Sequence, residues 1–160
     1  MFSVMSPAGV VRPAFAADSL RSAILHGSVR RARADRRWPA IERLLFAMRK
    51  AGRRSIRIVD AGCGAGDLLI QAARHARSIG FLAIEGRGID RDPAAIARAR
   101  STAKLLADPA IGLSFESGYA RAALADEAEA PADLILYSRS VPAEVARSAG
   151  KVALAAEAVA

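Results

Sequence analysis

The feature that most constrains the fold is a short β-branched run followed at once by a glycine-rich stretch. Residues 56–59 (Ile-Arg-Ile-Val) are typical of a buried strand, and Gly62, Gly64 and Gly66 follow at alternate positions. Glycine lets the backbone turn sharply and approach a ligand closely, and the helix that follows presents free N–H groups at its start. The sequence therefore predicts a strand, a tight ligand-binding loop and a helix.

Strand and helix patterns alternate along the rest of the chain. Apolar runs predict further strands at residues 81–89, 111–116 and 133–138, with helices between them and a helix or loop at 119–129. Such alternation is typical of right-handed βαβ units. We therefore expect an α/β fold with a mainly parallel sheet in the order 3-2-1-4 and helices on both faces. Residues 142–159 are predicted to be helical, so no fifth strand is expected.

Two helices are predicted ahead of the first strand. A short helix capped by Asp18 or Ser19 is expected to end at Gly27, and an amphipathic helix runs from Pro39 to about Gly52. We divide the chain into a loose basic leader with a short helix, residues 1–36, and a core domain, residues 37–160.

Positive charge is concentrated in the N-terminal part of the chain. The 160 residues hold 24 Lys and Arg against 16 Asp and Glu, a formal net charge of +8. Residues 21–54 contain eleven basic and two acidic side chains, whereas residues 55–160 contain twelve and thirteen. Such a segment is able to contact nucleic acid, anionic lipid or an acidic substrate. A solvated arginine-rich face is the simpler interpretation, so we expect a small-molecule substrate rather than nucleic acid.

Composition also excludes several classes of protein. Cys63 is the single cysteine, so an intrachain disulfide or a multi-cysteine metal site is not possible, and no metal is expected. The chain has no run of about 18 apolar residues, which argues against a membrane span. We expect a cytoplasmic protein.

An acidic residue marks the end of the second predicted strand. Asp90 follows Gly88 and Ile89 and lies 24 residues after Gly66. In a doubly wound fold, a carboxylate at this position faces the first glycine loop and accepts hydrogen bonds from a ribose diol. A dinucleotide-binding fingerprint would need glycine at position 67, where this chain has aspartate. The loop and the acid together predict a nucleoside pocket that suits a ligand other than a diphosphate.

The pattern D-x-G-x-G-x-G at residues 60–66, with the acid at Asp90, resembles the class I S-adenosylmethionine-dependent methyltransferases. The resemblance covers about residues 39–140. It implies a Rossmann-like three-layer fold, S-adenosyl-L-methionine as the cofactor, and methyl transfer to a nucleophilic acceptor. The acceptor is not identified, and no catalytic base is assigned.

The resemblance also implies roles for individual residues. Asp60 is expected to lie near the amino-acid part of the cofactor, and Asp90 near the ribose hydroxyls. Glu116 or Tyr119 is expected to meet the adenine, because Ser117-Gly118-Tyr119 stands where the family usually has Gly-Asp. The predicted cofactor-binding residues are Asp60, Gly62, Cys63, Gly64, Gly66, Asp90, Arg91, Gly118 and Tyr119. The candidate substrate residues, at the end of the fourth strand, are Tyr137, Ser138 and Arg139.

The family core normally has seven strands, so the prediction is of a chain truncated after the fourth strand. The fourth strand would then be an exposed edge that favours self-association. Two hypotheses of function follow. One is a methyltransferase acting on an unidentified acceptor, and the other is a truncated or degenerate non-catalytic nucleoside-binding module. A dinucleotide-binding protein is a third, weaker alternative.

Overall fold

The computed structural model describes residues 14–156, which form alternating helices and strands. In chain order these elements are α1 (Ala14–Ala34), α2 (Trp38–Lys50), β1 (Ser55–Ala61), α3 (Asp67–Ser78), β2 (Ala83–Asp90), α4 (Pro93–Ala103), β3 (Ile111–Ser117), α5 (Ala120–Glu127), β4 (Ala132–Tyr137), α6 (Ala143–Ala149) and β5 (Gly150–Ala155). No helix within these residues is long and apolar enough to cross a membrane.

The strands form one sheet in the order β3-β2-β1-β4-β5, and every neighbouring pair is parallel. The predicted α/β, Rossmann-like architecture with N-terminal helices is therefore confirmed, as is the order of the first four strands. Parallel strands need crossover connections, and here each crossover contains a helix.

The helices cover both faces of the sheet and enclose two apolar cores. One core joins α2, α3 and α4 to one face through residues such as Leu45, Leu69 and Phe115. The other joins α5 and α6 to the opposite face through Leu124, Ile135 and others. The helix α1 lies outside the first layer and packs mainly on α3. The two central strands β1 and β4 are thus largely buried, as expected for a parallel sheet with helices on both faces.

The expectation that the chain has no fifth strand is wrong. The helix predicted at 142–159 ends at Ala149, and β5 pairs with β4 from Gly150 onward, while residues 157–160 lie outside the described part. All six residues of β4 are buried, so this strand needs a neighbour on each side. Lys151 of β5 also donates to Asp133 of β4 at 2.8 Å. Strand pairing and burial here override the helical propensity of an alanine-rich segment.

The prediction of an exposed edge at the fourth strand is wrong for the same reason. In the sheet, β4 lies between β1 and β5. The second residue of β4, Asp133, also accepts from Arg53 at 2.8 Å and from the backbone N–H of Arg57 at 3.0 Å, which ties β4 to the first residues of β1 and the segment before them. The predicted self-association therefore loses the exposed β4 edge as its premise, because that edge is paired.

The first helix is longer than predicted. It passes through Gly27, where a stop was expected, and continues to Ala34, so the arginine-rich connector is helical. The reason lies in its packing, because Ser28 and Ala32 are buried although most other residues from 17 to 34 are exposed. Residues 1–13 of the predicted loose leader lie outside the described part. The domain division at residue 36 stays a prediction.

The contact between β5 and β4 can be tested at Gly150. A Cβ added there would lie 2.3 Å from Cγ1 of Ile135, which is fully buried. We expect Gly150→Ala to lower the free energy of unfolding by about 1–3 kcal/mol, because the buried side chain has little room to move. Urea unfolding followed by circular dichroism measures this change.

The matched control is Gly112→Ala in β3, where the nearest atom to an added Cβ is the Ile84 carbonyl oxygen at 3.9 Å. We expect this variant to change the free energy of unfolding by less than about 0.5 kcal/mol. Equal destabilisation by the two substitutions would contradict the packing of β5 on β4.

Candidate functional site

The carboxyl ends of four strands meet at one edge of the sheet. In the register of the sheet, Ala61 pairs with both Ile89 and Tyr137, and Asp90 pairs with Ser117. The segments that follow these strands therefore begin side by side. Open α/β sheets bind ligands at this edge. Most of the predicted site residues lie here.

The glycine loop between β1 and α3 has a conformation that other residues would not tolerate. Gly62 and Gly66 have φ angles of 99° and 77°. A Cβ at Gly62 would lie 2.7 Å from Oγ of Ser138, and one at Gly66 would lie 2.6 Å from the ring of Phe115. The loop is therefore pressed against the ends of β3 and β4, which only glycine at these two positions allows.

Hydrogen bonds fix this loop to the end of β2. The backbone N–H groups of Gly62 and Cys63 both donate to the carbonyl oxygen of Ile89, at 2.8 and 3.0 Å. The N–H of Gly64 donates to Oδ2 of Asp90 at 2.8 Å. The other carboxylate oxygen, Oδ1, accepts from the N–H of Asp92 at 2.9 Å. Since each carboxylate oxygen has about two acceptor sites, Asp90 keeps acceptor capacity for a ligand.

Beside this loop lies a cleft of about 270 Å³. It is lined by six of the residues that the sequence predicted, which are Gly62, Asp90, Arg91, Gly118, Tyr119 and Ser138. Tyr119 is 73% exposed, so its ring has a free face. Glu116, the alternative to Tyr119, does not line the cleft and pairs with Arg87 instead.

The remaining predicted residues lie around or beneath the cleft. Gly64 and Gly66 build the loop but do not line the cleft, and neither does Arg139, which is exposed. Tyr137 is only 8% exposed and belongs to the core beneath α6. Sequence reasoning missed Arg121 and Ser140, which do line the cleft. Their positions in the segments after β3 and β4 are the only sequence signal that could have indicated them.

Cys63 lies inside the loop as a buried thiol. It is 9% exposed, and its Sγ is 3.6 Å from the carbonyl oxygen of Gly64. Burial, together with the nearby carboxylates of Asp60 and Asp90, raises the pKa of the thiol. A thiol that resists ionisation is a poor nucleophile, so the geometry fits a packing role for this side chain.

Asp60 is the most unusual group near the site. It is 1% exposed, and its Oδ1 has no hydrogen-bond partner among the described residues. Burial raises the pKa of Asp60 to about 7, the positive charge of Arg37 opposes this rise, and the carboxylates of Asp35 and Asp90 add to it. A buried acceptor without a partner, beside a ligand loop, is a candidate binding group.

An ion pair that sequence reasoning missed lies near Asp60. Arg37, in the turn between α1 and α2, donates to both carboxylate oxygens of Asp35, at 3.0 and 2.8 Å. It also donates to the carbonyl oxygen of Tyr137 at 3.3 Å. The sequence placed Asp35 and Arg37 on either side of the boundary of a basic leader. Only the fold brings them to the carboxyl end of β4.

Asp67, the residue that breaks the dinucleotide fingerprint, also has a partner. Arg31 of α1 donates to both of its carboxylate oxygens, at 2.6 and 3.0 Å. The pair attaches α1 to the first turn of α3, next to the glycine loop. Within residues 14–156, no group of three or more His, Cys, Asp or Glu side chains is placed to hold a metal ion.

The burial of Asp60 predicts a pH-dependent stability. Because the pKa of Asp60 is about 7 in the folded chain and about 3.9 in an unfolded one, the cost of keeping this carboxylate buried grows as the pH rises between these values. We expect Asp60→Asn to stabilise the fold increasingly from pH 4 to pH 8, by up to about 4 kcal/mol. Thermal and urea unfolding across this pH range provide the measurement.

The control is Asp126→Asn, which removes a carboxylate from an exposed position of α5. Its effect on the free energy of unfolding should be small at every pH. A stability gain in Asp60→Asn that does not change with pH would show that the Asp60 carboxyl does not titrate as described.

Comparison with known proteins supports the class of fold and names the family. Residues 53–155, more than half of the chain, match the family described as methyltransferase domain. The bifunctional kinase-methyltransferase WbdD has a TM-score of 0.51 and 22% identity, over 68% of this chain and 22% of WbdD. At that identity the likeness shows the fold alone.

Two further structures resemble the chain less closely. A protein of Listeria monocytogenes, described as a class I S-adenosylmethionine-dependent methyltransferase, has a TM-score of 0.49 and 22% identity, over 68% of this chain and 33% of that protein. Magnesium protoporphyrin IX methyltransferase from Synechocystis PCC 6803 has a TM-score of 0.44 and 17% identity, over 88% and 58%.

The chain spans between 18% and 33% of the length of the first three solved structures that it matches. No curated protein matches it at a significant level. The family match covers the whole segment from the entry of β1 to the end of β5, including the glycine loop and Asp90. On this match, the chain belongs to the methyltransferase domain family.

Proposed function

We propose that this chain binds S-adenosylmethionine in the cleft at the carboxyl edge of the sheet and transfers its methyl group to a small-molecule acceptor. The observation that carries the proposal is the hydrogen bond from the N–H of Gly64 to Asp90, which holds the glycine loop and the acid side by side at the cleft. Family membership supplies the class of reaction.

The residues present fit the proposed cofactor. Asp90 has acceptor capacity left for ribose hydroxyls, and the exposed ring of Tyr119 offers a stacking surface for adenine. The loop brings backbone close to the cleft, since Gly62 has no side chain between it and Ser138. Asp60 offers a buried acceptor without a partner, which suits the ammonium group of the methionine part.

When bound, the cofactor supplies an electrophilic methyl group on a sulfonium, so the protein needs mainly to orient the two reactants. Among the residues that line the cleft, Asp90 is the one carboxylate, and both of its oxygens already accept backbone hydrogen bonds. No cleft-lining residue is therefore assigned as a general base. We infer that the acceptor arrives as a competent nucleophile and that the chain contributes positioning and exclusion of water.

The contacts of the basic residues in 21–54 support a small acceptor over nucleic acid. Several basic residues in 21–54 form contacts within the chain, among them Arg31 with Asp67, Arg37 with Asp35, Arg49 with the Gly80 carbonyl, and Arg53 with Asp133. Each of these contacts reduces the charge available for a polyanion. A phosphate backbone needs a row of free cations, so this pairing weakens the nucleic-acid alternative.

The role of Asp90 predicts the response of binding to substitution. Isothermal titration calorimetry of the 160-residue chain with S-adenosylhomocysteine should show one saturable site. We expect Asp90→Ala to weaken this binding by about tenfold or more, because it removes the ribose acceptor and releases the loop at Gly64. Incubation with S-adenosylmethionine and a panel of small nucleophiles would then reveal the acceptor.

The matched control is Asp108→Ala, which removes an aspartate paired with Arg77 before β3, at the opposite end of the sheet. Binding by this variant should equal that of the unchanged chain. If the folded chain bound neither S-adenosylmethionine nor S-adenosylhomocysteine, the proposal would fail. Binding without turnover of any acceptor would favour a non-catalytic nucleoside-binding module.

A further inference from the structure

A second cavity lies away from the cleft, in a groove between α1 and α3. Its volume is about 400 Å³, which is within the range of small-molecule sites. The apolar side chains of Leu25 and Val29 contribute to its wall from α1. It shares no lining residue with the cleft at the carboxyl edge. We call it the α1–α3 groove.

The α1–α3 groove carries positive charge that nothing in the described chain balances. Arg33 of α1 and Arg74 of α3 both line it, and no aspartate or glutamate does. In residues 14–156, neither arginine has a hydrogen-bond or ion-pair partner, whereas the neighbouring Arg31 is paired with Asp67. Two unpaired guanidinium groups that line one groove from two helices offer charged donors to an anion bound between them.

The buried side-chain amide of Gln71 gives a second, independent indication of a ligand. Gln71 of α3 lines the groove, although it is only 6% exposed. Its Oε1 is buried and has no hydrogen-bond partner in the described residues. Buried polar atoms in folded proteins are nearly always paired, so this acceptor calls for a donor from a bound group. The ligand would need both negative charge and an O–H or N–H.

We propose that the α1–α3 groove binds a small oxyanion that also carries a hydroxyl group, with Arg33 and Arg74 holding the anion and the Gln71 carbonyl accepting from the hydroxyl. A hydrogen phosphate group and an α-hydroxycarboxylate share this chemistry. The site is independent of the proposed methyl transfer. Because the ligand bridges the two helices, its binding clamps α1 onto α3 beside the contact between Arg31 and Asp67.

Two pairs of anions test the requirement for a hydroxyl group. Hydrogen phosphate and sulfate have the same charge at pH 8, but only hydrogen phosphate has an O–H. Lactate and propionate differ by one hydroxyl. In calorimetry of the full chain at constant ionic strength, we expect at least one member with a hydroxyl to bind saturably, about tenfold more tightly than its partner, and to raise the melting temperature.

The anion pair whose hydroxyl-bearing member binds more tightly shows whether the site takes a phosphate or a carboxylate. If none of the four anions binds saturably, the proposal is wrong. It is also wrong if sulfate and propionate bind as tightly as their hydroxyl-bearing partners.

Substitutions assign the binding to the groove. Arg33→Gln and Arg74→Gln should each weaken binding by about tenfold, since each removes a charged donor. Arg30→Gln, at an exposed position of α1 that does not line the groove, removes the same charge and should leave the affinity unchanged.

Gln71→Leu should abolish the preference for the hydroxyl-bearing anion while the arginines still bind both members of the pair. If Arg30→Gln and Arg33→Gln weakened anion binding equally, the binding would reflect only the overall positive charge of α1, and the proposal would be overturned. Circular dichroism of each variant shows whether the fold is retained, and the two arginine variants keep the test decisive if Gln71→Leu unfolds.

Discussion

The carboxylate of Asp90 holds the functional edge of the molecule together. One of its oxygens accepts from the N–H of Gly64 in the loop after β1, and the other accepts from the N–H of Asp92 at the start of α4. Two crossover connections are thereby fixed to the end of β2. The shape of the cleft depends on this bridge, because the loop forms one wall and Asp90 itself forms another.

The two carboxylates near the glycine loop, Asp90 and Asp60, differ in their hydrogen bonding. Asp90 lies at the cleft with one backbone donor on each of its oxygens, whereas Asp60 lies beneath the loop with an unpaired oxygen. Within the Arg37–Asp35 pair near Asp60, the positive charge of Arg37 opposes the rise in the pKa of Asp60, whereas the carboxylate of Asp35 adds to it. A buried carboxyl of this kind costs stability that a functional site can justify. The same pair ties the turn between α1 and α2 to the end of β4.

Sequence reasoning succeeded where a local pattern has one physical solution. Three glycines after a β-branched run allow only a sharp loop, and an acid at the end of the next strand in a parallel sheet must come near that loop. It failed where the outcome depended on distant partners. The alanine-rich end of the chain forms β5 because buried β4 needs a neighbour, and α1 continues past Gly27 because Ser28 and Ala32 pack inward. Local secondary-structure propensity predicts neither the strand β5 nor the length of α1.

By itself, the sequence determined the class of fold, the first four strands in their order, the glycine loop and most of the residues that line the cleft. These features follow from backbone sterics and hydrophobic period, which act between residues close in the chain or in adjoining βαβ units. The tertiary structure alone decided that β5 covers β4, that Arg37 meets Asp35 near a buried Asp60, and that Arg33, Arg74 and Gln71 share one groove. Such contacts join helices and strands whose relative positions are set by packing of the whole core, which no local pattern encodes.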